Sequence, residues 1–298
     1  MCGIVGLFLK DSSLEPELGA MTAGMLATMC DRGPDSAGFA VYGKGAPGRV
    51  KLTLRGPSGT DFHAIIGGLG VATGGDQAIE VRDTHAVLTV AEANLADVRR
   101  VLAENHPEID IVSFGNRIEI YKEVGRPDRV ADRFGLSGMT GSHAIGHTRM
   151  ATESAVTTDG AHPFSTGADQ CLVHNGSLSN HNLMRRSLRR EGLDFETEND
   201  SEVAAGYLTW RMREGAKLGT ALDGALDDLD GFYTFVVGTE GGFGVLRDPI
   251  ACKPAVMAET ETYVAFGSEF RALAGLPGIE AARVFEPEPA HPYFWERR

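Results

Sequence analysis

The stretch MCGIVGLF, residues 1–8, places a cysteine directly in front of a short apolar run that predicts a β-strand. An initiator methionine is removed when the next residue is small, so we expect the mature chain to begin with Cys2. That residue would then carry a thiol and a free α-amine together. An α-amine has a pKa of about 7.7 to 8.0 in unstructured peptides, so it can act as general base for the thiol beside it. Cys2 is therefore a candidate nucleophile, although a small residue before a strand also fits this stretch alone.

Four positions between residues 149 and 200 supply what an amide-cleaving cysteine needs. Asn175 and Gly176 follow each other in the stretch CLVHNG, where a side-chain amide and a backbone N–H can point at one developing oxyanion. Arg149 ends the strand-like run SHAIGHTR, and its guanidinium fits a carboxylate. Asp200 opens a helix in TENDSEV and can pair with an ammonium group. The set describes a pocket for a free amino acid whose side-chain amide is cut.

Each of these residues also has an ordinary structural explanation. The sequence HNG is typical of a turn, Asp200 before SEV is typical of a helix start, and Arg149 could form a surface ion pair. What favours the pocket is the order of all of them behind a cysteine at the start of the chain.

Composition narrows the class of partner. Acidic residues outnumber basic ones by 41 to 28, and a formal charge of -13 argues against nucleic acid or an anionic membrane as the binding partner. Neither a secretory signal nor a membrane span of about 20 apolar residues is predicted. The four cysteines lack CxxC spacing, which favours a reduced cytoplasm over a disulfide framework or a zinc site. We expect a cytoplasmic protein with a small polar substrate or protein partners.

The apolar pattern predicts strands in runs and helices in pairs, which favours an α+β layered fold over a doubly wound sheet. The stretches HNLMRRSLRREG, with Gly192 as its C-cap, and DSEVAAGYLTWRMREG predict two helices. The runs FYTFVVGT and FGVLRD around EGG predict a hairpin. Glycine-rich joints surround residues 44–141, which we interpret as a small α/β insertion.

Taken together, these motifs resemble those of the class II glutamine amidotransferases, which belong to the N-terminal nucleophile hydrolases. Apart from the insertion, the resemblance covers nearly the whole chain, so residues 2–298 are interpreted as one amidotransferase domain. A looser similarity runs from DGFYTFVV through VLRDP and KPAV to FGSE. The specific shared stretches are MCGIVGLF (1–8), DRGPDSAG (31–38), GHTRMAT (146–152), AHPF (161–164), HNGSLSN (174–180) and ENDSEV (198–203).

The resemblance implies a four-layer αββα sandwich and L-glutamine as substrate. Cys2 would attack the γ-amide, ammonia would leave, and water would hydrolyse the thioester to glutamate, with no metal or cofactor in this chain. The resemblance also assigns the remaining roles: an oxyanion hole from Asn175 and Gly176, a site for the substrate α-carboxylate from Arg149 and Thr152, a site for the α-ammonium from Asp200, and support of the nucleophile from Arg32 and Gly33.

The chain departs from the family pattern at two positions. Many relatives have an aromatic residue where this chain has Met150, and a histidine or small residue where it has Glu153. The extra negative charge is expected to change the affinity for glutamine. His147, His162 and His174 also lie inside the motifs, and we expect them to be hydrogen-bonded supports without a metal.

Nitrogen transfer needs an acceptor, and the tail EPEPAHPYFWERR is too short for a second enzyme. We expect a partner synthase in a hetero-oligomer, as in glutamate synthase-like complexes, including N-methylglutamate synthase, which this chain resembles. FMN and iron–sulfur clusters would then reside on the partner subunits, because no cysteine set here suits a cluster. The insertion at 44–141 and the aromatic residues Tyr293, Phe294 and Trp295 are candidate docking surfaces.

Two alternatives remain open at this point. A γ-glutamyl amide hydrolase would use the same nucleophile on a substituted amide. A non-catalytic glutamine-binding module would not need Cys2 at all. Comparing ammonia release from glutamine with hydrolysis of a substituted amide distinguishes a glutaminase from the γ-glutamyl amide hydrolase. Trapping of Cys2 by a glutamine-like diazo ketone would exclude the non-catalytic binding module.

Overall fold

The computed structural model describes residues 2–73, 77–151 and 155–297. Its strands are β1 (Gly3–Leu9), β2 (Ser36–Tyr42), β3 (Arg49–Arg55), β4 (Ala78–Arg82), β5 (His85–Ala91), β6 (Asp110–Gly115), β7 (Ile118–Val124), β8 (His143–Arg149), β9 (Cys171–Leu178), β10 (Gly231–Gly238), β11 (Gly242–Arg247), β12 (Val256–Glu259), β13 (Tyr263–Gly267), β14 (Arg283–Phe285) and β15 (Tyr293–Glu296). Its α-helices are α1 (Leu18–Ala27), α2 (Phe62–Thr73), α3 (Leu95–Asn105), α4 (Pro127–Phe134), α5 (His181–Arg190), α6 (Asp200–Arg213) and α7 (Leu218–Asp228).

Two antiparallel sheets stack face to face and carry helices on their outer faces. The large sheet has the strand order β14-β12-β13-β1-β8-β2-β7, and the smaller one has the order β15-β11-β10-β9. Helices α1 and α4 pack on the large sheet, while α5, α6 and α7 pack on the smaller one. The predicted four-layer αββα sandwich is confirmed. Among the described helices, none has both the length and the apolar character that a membrane crossing requires.

The first strand lies inside the large sheet, with β8 on one side and β13 on the other. Its side chains alternate between two cores, as a strand buried on both faces requires. Ile4 and Phe8 point toward the smaller sheet, whereas Val5 and Leu7 point toward α1. The apolar run directly after Cys2 therefore holds that residue at one end of the sandwich, between its two sheets.

The inserted unit is shorter than the predicted 44–141. A separate sheet with the order β4-β5-β3-β6, together with α2 and α3, spans residues 49–115 and has its own apolar core. The next strand, β7, instead pairs with β2 in the large sheet, beginning at Tyr42 opposite Ile118. Both faces of β7 are buried in the sandwich, and α4 packs against α1, so these two elements belong to the main body.

The return from the insertion is anchored by the buried carboxylate of Asp169. It accepts the backbone N–H groups of Asn116, Arg117 and Ile118 at 2.6, 2.8 and 2.9 Å. A carboxylate that accepts several amide hydrogen bonds satisfies donors that would otherwise be buried without partners. This contact fixes the turn between β6 and β7 against the segment that leads into β9.

The aromatic tail forms part of the sandwich. Strand β15 pairs with β11 along Tyr293 to Glu296, and both Tyr293 and Trp295 pack against the core between the sheets. Phe294 points the other way and keeps about half of its surface exposed, at 49%. Most of the tail proposed as a docking surface is therefore an edge strand, and its aromatic rings are largely used for packing.

Candidate active site

A cleft of about 480 Å³ opens at the end of the sandwich where β1 begins. Six of the residues predicted for the site line it, namely Cys2, Arg32, Arg149, Asn175, Gly176 and Asp200. Gly33 packs directly behind the cleft wall, while Thr152 and Glu153 lie outside the described residues. Residues that are separated by as much as two thirds of the chain thus share one cavity.

The end of β8 sets the position of Cys2. Gly3 pairs with Thr148, and the Gly3 N–H also donates to the Thr148 hydroxyl oxygen at 3.1 Å. This places Cys2 beside the last residues of β8, where its Sγ lies 3.8 Å from the carbonyl oxygen of Met150. The thiol is half-buried and faces the cleft, as a nucleophile must.

The turn between α1 and β2 supports Cys2 from behind. Arg32 is buried, and its Nε donates to the Cys2 carbonyl oxygen at 3.1 Å. Its guanidinium also pairs with Glu269 and holds the pKa of that carboxyl below its usual value. A Cβ added at Gly33 would lie 2.6 Å from the Arg149 backbone nitrogen, so only glycine allows this close approach.

Asn175 and Gly176 lie on β9, in the small sheet, and face Cys2 across the cleft. Asn175 Nδ2 lies 3.2 Å from the Cys2 carbonyl oxygen. Gly176 has φ +151°, and a Cβ there would approach the Phe232 carbonyl oxygen to 2.0 Å. The backbone at this position is therefore restricted to glycine, and the Asn175 amide is held against the Cys2 backbone.

Arg149 and Asp200 supply opposite charges to the cleft. Arg149 ends β8 and donates from a guanidinium nitrogen to the Ala155 carbonyl oxygen at 3.2 Å. Asp200 is the first residue of α6, whose N-cap is Asn199. One Asp200 oxygen accepts the Leu178 N–H at 2.8 Å, which orients the carboxylate at the cleft wall. A positive and a negative side chain therefore line the same cleft.

Three buried histidines lie beneath these residues. Burial lowers the pKa of His147 to about 3 and that of His174 to about 4, and it lowers the pKa of His162 well below 6.5. All three are therefore neutral at pH 7. Within the described ranges, no group of three or more His, Cys, Asp or Glu side chains is arranged to hold a metal ion.

The cleft also contains residues that were not predicted for the site. Lys253 and Pro254 form part of its wall, and the Lys253 Nζ lies 5.0 Å from the centre of the Phe232 ring. Ser268, which is buried and outside the cleft lining, contacts β1, because its hydroxyl oxygen accepts the Ile4 N–H at 2.9 Å. Both positions fall inside stretches of the looser similarity, KPAV and FGSE, which was the available signal.

Comparison with known proteins shows the family of this chain. Residues 126–294 match the family described as "Glutamine amidotransferase domain". The chain is also 64% identical to the glutamine amidotransferase-like protein GlxB of Rhizobium meliloti (strain 1021), over an alignment of 299 residues that covers 100% of this chain and 99% of that protein. The chain belongs to the glutamine amidotransferase family. The resemblance to class II glutamine amidotransferases, and with it a glutamine-hydrolysing class of enzyme, is confirmed.

More distant members of the family extend beyond this chain. Glutamine–fructose-6-phosphate aminotransferase (isomerizing) of Vibrio vulnificus (strain YJ016) is 31% identical over 150 residues, which are 50% of this amidotransferase and 24% of that protein. The solved structure of glutamine phosphoribosylpyrophosphate amidotransferase from B. subtilis shares the fold, with a TM-score of 0.62 at 20% identity. That match covers 99% of this chain and 47% of the other, so this amidotransferase corresponds to about half of the larger enzyme's length.

Proposed function

We propose that this protein hydrolyses the γ-amide of L-glutamine through a thioester on Cys2 and passes the ammonia to a partner synthase subunit in the cytoplasm. The observation that carries the proposal is the meeting of Cys2, Asn175, Gly176, Arg149 and Asp200 in one cleft. This reaction needs a nucleophile, an oxyanion donor and a partner for each of the two α-groups of an amino acid. The candidates for all of these roles face the same cavity.

The reaction then proceeds in two balanced steps. The free α-amine of processed Cys2 takes the thiol proton, and the thiolate attacks the carbonyl carbon (Cδ) of the glutamine γ-amide. The resulting oxyanion is held by Asn175 Nδ2 and the Gly176 N–H. The C–N bond breaks as the protonated amine returns its proton to the leaving nitrogen, which gives ammonia and a γ-glutamyl thioester. Water then attacks the thioester and releases glutamate and the Cys2 thiol.

The neutral histidines leave the proton transfer to the α-amine. With pKa values of about 3 and 4, His147 and His174 are neutral at pH 7, and both are too weakly basic to take the thiol proton. A general base works best when its pKa is near the working pH, and an α-amine at about 7.7 to 8.0 meets that condition. This division of labour requires that Met1 be absent from the active protein.

Arg149 binds the substrate α-carboxylate in this proposal, with Thr152 as the predicted second donor. Asp200 binds the α-ammonium. A hydrogen bond between charged groups contributes about 1.5 to 3 kcal/mol, which corresponds to roughly 10- to 100-fold in binding. Loss of either group should therefore act on KM more than on kcat.

The function is tested by comparing three amides as substrates of the purified, processed chain. We expect ammonia release from L-glutamine, a much lower rate on γ-glutamyl-methylamide, and a high KM on glutaramate, which lacks the α-ammonium. Faster cleavage of the substituted amide would instead identify a γ-glutamyl amide hydrolase. A chain that binds glutamine without turnover, and whose Cys2 resists a glutamine-like diazo ketone, would be a binding module.

Asp200→Asn should raise KM for glutamine about 10- to 100-fold and leave kcat nearly unchanged, because the amide keeps the acceptor for Leu178 but loses the charge. The same variant should not raise KM for glutaramate, which has no ammonium to lose. Asp194→Asn, at an exposed position on the connection before α6, is the matched control. Equal effects on both substrates would contradict the assignment.

Exposed apolar side chains support the proposal of a partner subunit. Large exposed apolar side chains occur at Met150, Val156, Phe232, Ile250 and Phe270. Met150 lines the cleft itself, and Phe232 lies under Lys253 of the cleft wall. Exposed apolar side chains that form one patch mark a binding site for another protein, and we propose that these five contribute to such a patch. A glutamate synthase-like partner, including N-methylglutamate synthase with its own flavin and iron–sulfur centres, fits the proposal.

Purification of the native complex tests this part, with every co-eluting chain identified. Ile250→Glu should release the partner while the glutaminase reaction is retained, because this side chain is 68% exposed and makes no proposed contact with substrate. Val284→Glu, exposed on the edge strand β14, is the matched control and should leave the complex intact. A free monomer in native material from the source cell would contradict the partner proposal.

A further inference from the structure

His147, the histidine of the GHTR stretch, touches the proposed oxyanion donor. It lies in β8, fully buried between the two sheets. Its Nε2 is 3.1 Å from the His174 carbonyl oxygen and 3.1 Å from Asn175 Oδ1. A backbone carbonyl can only accept a hydrogen bond, so the ring proton must be on Nε2. The same N–H therefore also meets the side-chain oxygen of Asn175.

The Asn175 carboxamide has two ends of nearly equal shape but opposite chemistry. Its oxygen end meets His147, and its nitrogen end lies 3.2 Å from the Cys2 carbonyl oxygen and 3.4 Å from the Ser268 hydroxyl. In the reversed orientation, the amide N–H groups would face the His147 N–H, and the amide oxygen would face the Cys2 carbonyl oxygen. Both contacts would be repulsive, so the network allows only one orientation.

The His147 ring is itself held in one state. It stacks on His162 with 4.0 Å between ring centres, at an interplanar angle of 27°. Burial lowers the pKa of His147 to about 3, so the ring keeps one proton throughout the neutral range. A single, fixed donor is thus presented to Asn175, and it does not change with pH near neutrality.

We infer that His147 is a positioning residue, which holds the Asn175 carboxamide with its nitrogen toward Cys2 and so prepares the oxyanion hole. The inference rests on the proposed function. His147 acts through Asn175 and does not touch the substrate. Removal of the His147 side chain should therefore reduce the stabilisation of the transition state and leave the affinity for glutamine nearly unchanged.

Two variants that differ by one methylene test the inference. His147→Gln carries an amide nitrogen about as far from the backbone as Nε2, so it can still donate to Asn175. His147→Asn is too short and reaches only the place of Nδ1. We expect kcat of the Asn variant to fall about 100-fold, as when an oxyanion-hole donor is lost, with KM little changed. The Gln variant should stay within about tenfold of the wild type, since its donor is restored.

Alkylation of Cys2 by iodoacetamide, which needs no oxyanion hole, supplies the second readout. Its rate should be equal in the wild type and both variants, and thermal unfolding should show that each is folded. Wild-type kcat in a folded Asn variant, an equal loss in both variants, or slowed alkylation would overturn the inference. If the Asn variant does not fold, a 100-fold loss of kcat in the Gln variant overturns it, and near-normal turnover supports it. A wild type that is inactive on glutamine would overturn the proposed function, and the inference with it.

Discussion

Replacing Cys2 by alanine should abolish ammonia release from L-glutamine, with a loss of about 10⁴-fold or more. Removal of the nucleophile eliminates the covalent route, and the residual rate then comes only from binding and oxyanion contacts. The fold should survive, because the strand that follows Cys2 is buried on both faces and does not depend on the thiol. Ammonia release and thermal unfolding, measured on the same preparation, check both statements.

Cys252 offers the matched control, because it is an exposed cysteine next to Lys253 of the cleft wall. Cys252→Ala should keep the wild-type rate.

A chain with a non-removable residue in front of Cys2 should keep the thiol yet lose most of its activity, because the α-amine becomes a peptide nitrogen. Substantial turnover by the Cys2→Ala protein would end the proposal of a thioester enzyme.

Asn175→Ala is expected to lower kcat by about 100- to 1000-fold with little change in KM, because one oxyanion donor is lost. The substitution leaves Gly176, whose conformation no other residue tolerates, in place. Asn175→Asp should be at least as damaging, because it puts a negative charge where the oxyanion forms. Steady-state kinetics on glutamine separate kcat from KM for both variants.

Asn182→Ala, on the exposed surface of α5, is the control for the loss of an asparagine side chain. It should match the wild type in both constants. If Asn175→Ala raises KM and leaves kcat unchanged, Asn175 binds the ground state of the substrate, and the oxyanion hole must be sought elsewhere in the cleft. Normal kinetics in a folded Asn175→Ala protein would refute its assignment.

Three of the site residues could be placed from the sequence because they stand where a regular element starts or ends. Cys2 precedes a strand, Arg149 ends one, and Asp200 begins a helix. Such boundaries are visible as a change in periodicity, and a sandwich of antiparallel strands brings several of them to the same end. The catalytic and binding roles of these residues stay predictions until the variants are measured.

The extent of the insertion was harder to predict from local patterns. Strand β7 follows the inserted sheet directly in sequence, and its residues predict a strand just as those of β6 do. Its place beside β2 depends on a pairing between Tyr42 and Ile118 that skips the whole inserted unit. A pairing between residues so far apart in sequence cannot be detected from the local pattern of residues around either strand.

The contact between His147 and Asn175 could not have been predicted either. The two residues are on different sheets, and their side chains meet only because β8 and β9 face each other across the interior of the sandwich. The motifs indicated a support role for the histidine. Which atom it supports follows only from the three-dimensional arrangement.

The inserted sheet also covers part of an edge of the large sheet. Strand β7 is the last strand of the large sheet, and its outward N–H groups would otherwise offer a template for another chain. The Ile118 N–H is taken by Asp169, and the Ile120 N–H is taken by the hydroxyl of Thr53 on β3 of the insertion. The insertion and Asp169 of the main body thus share in covering an open sheet edge, and a chain trimmed of the insertion would expose the Ile120 N–H and be more prone to edge-to-edge self-association.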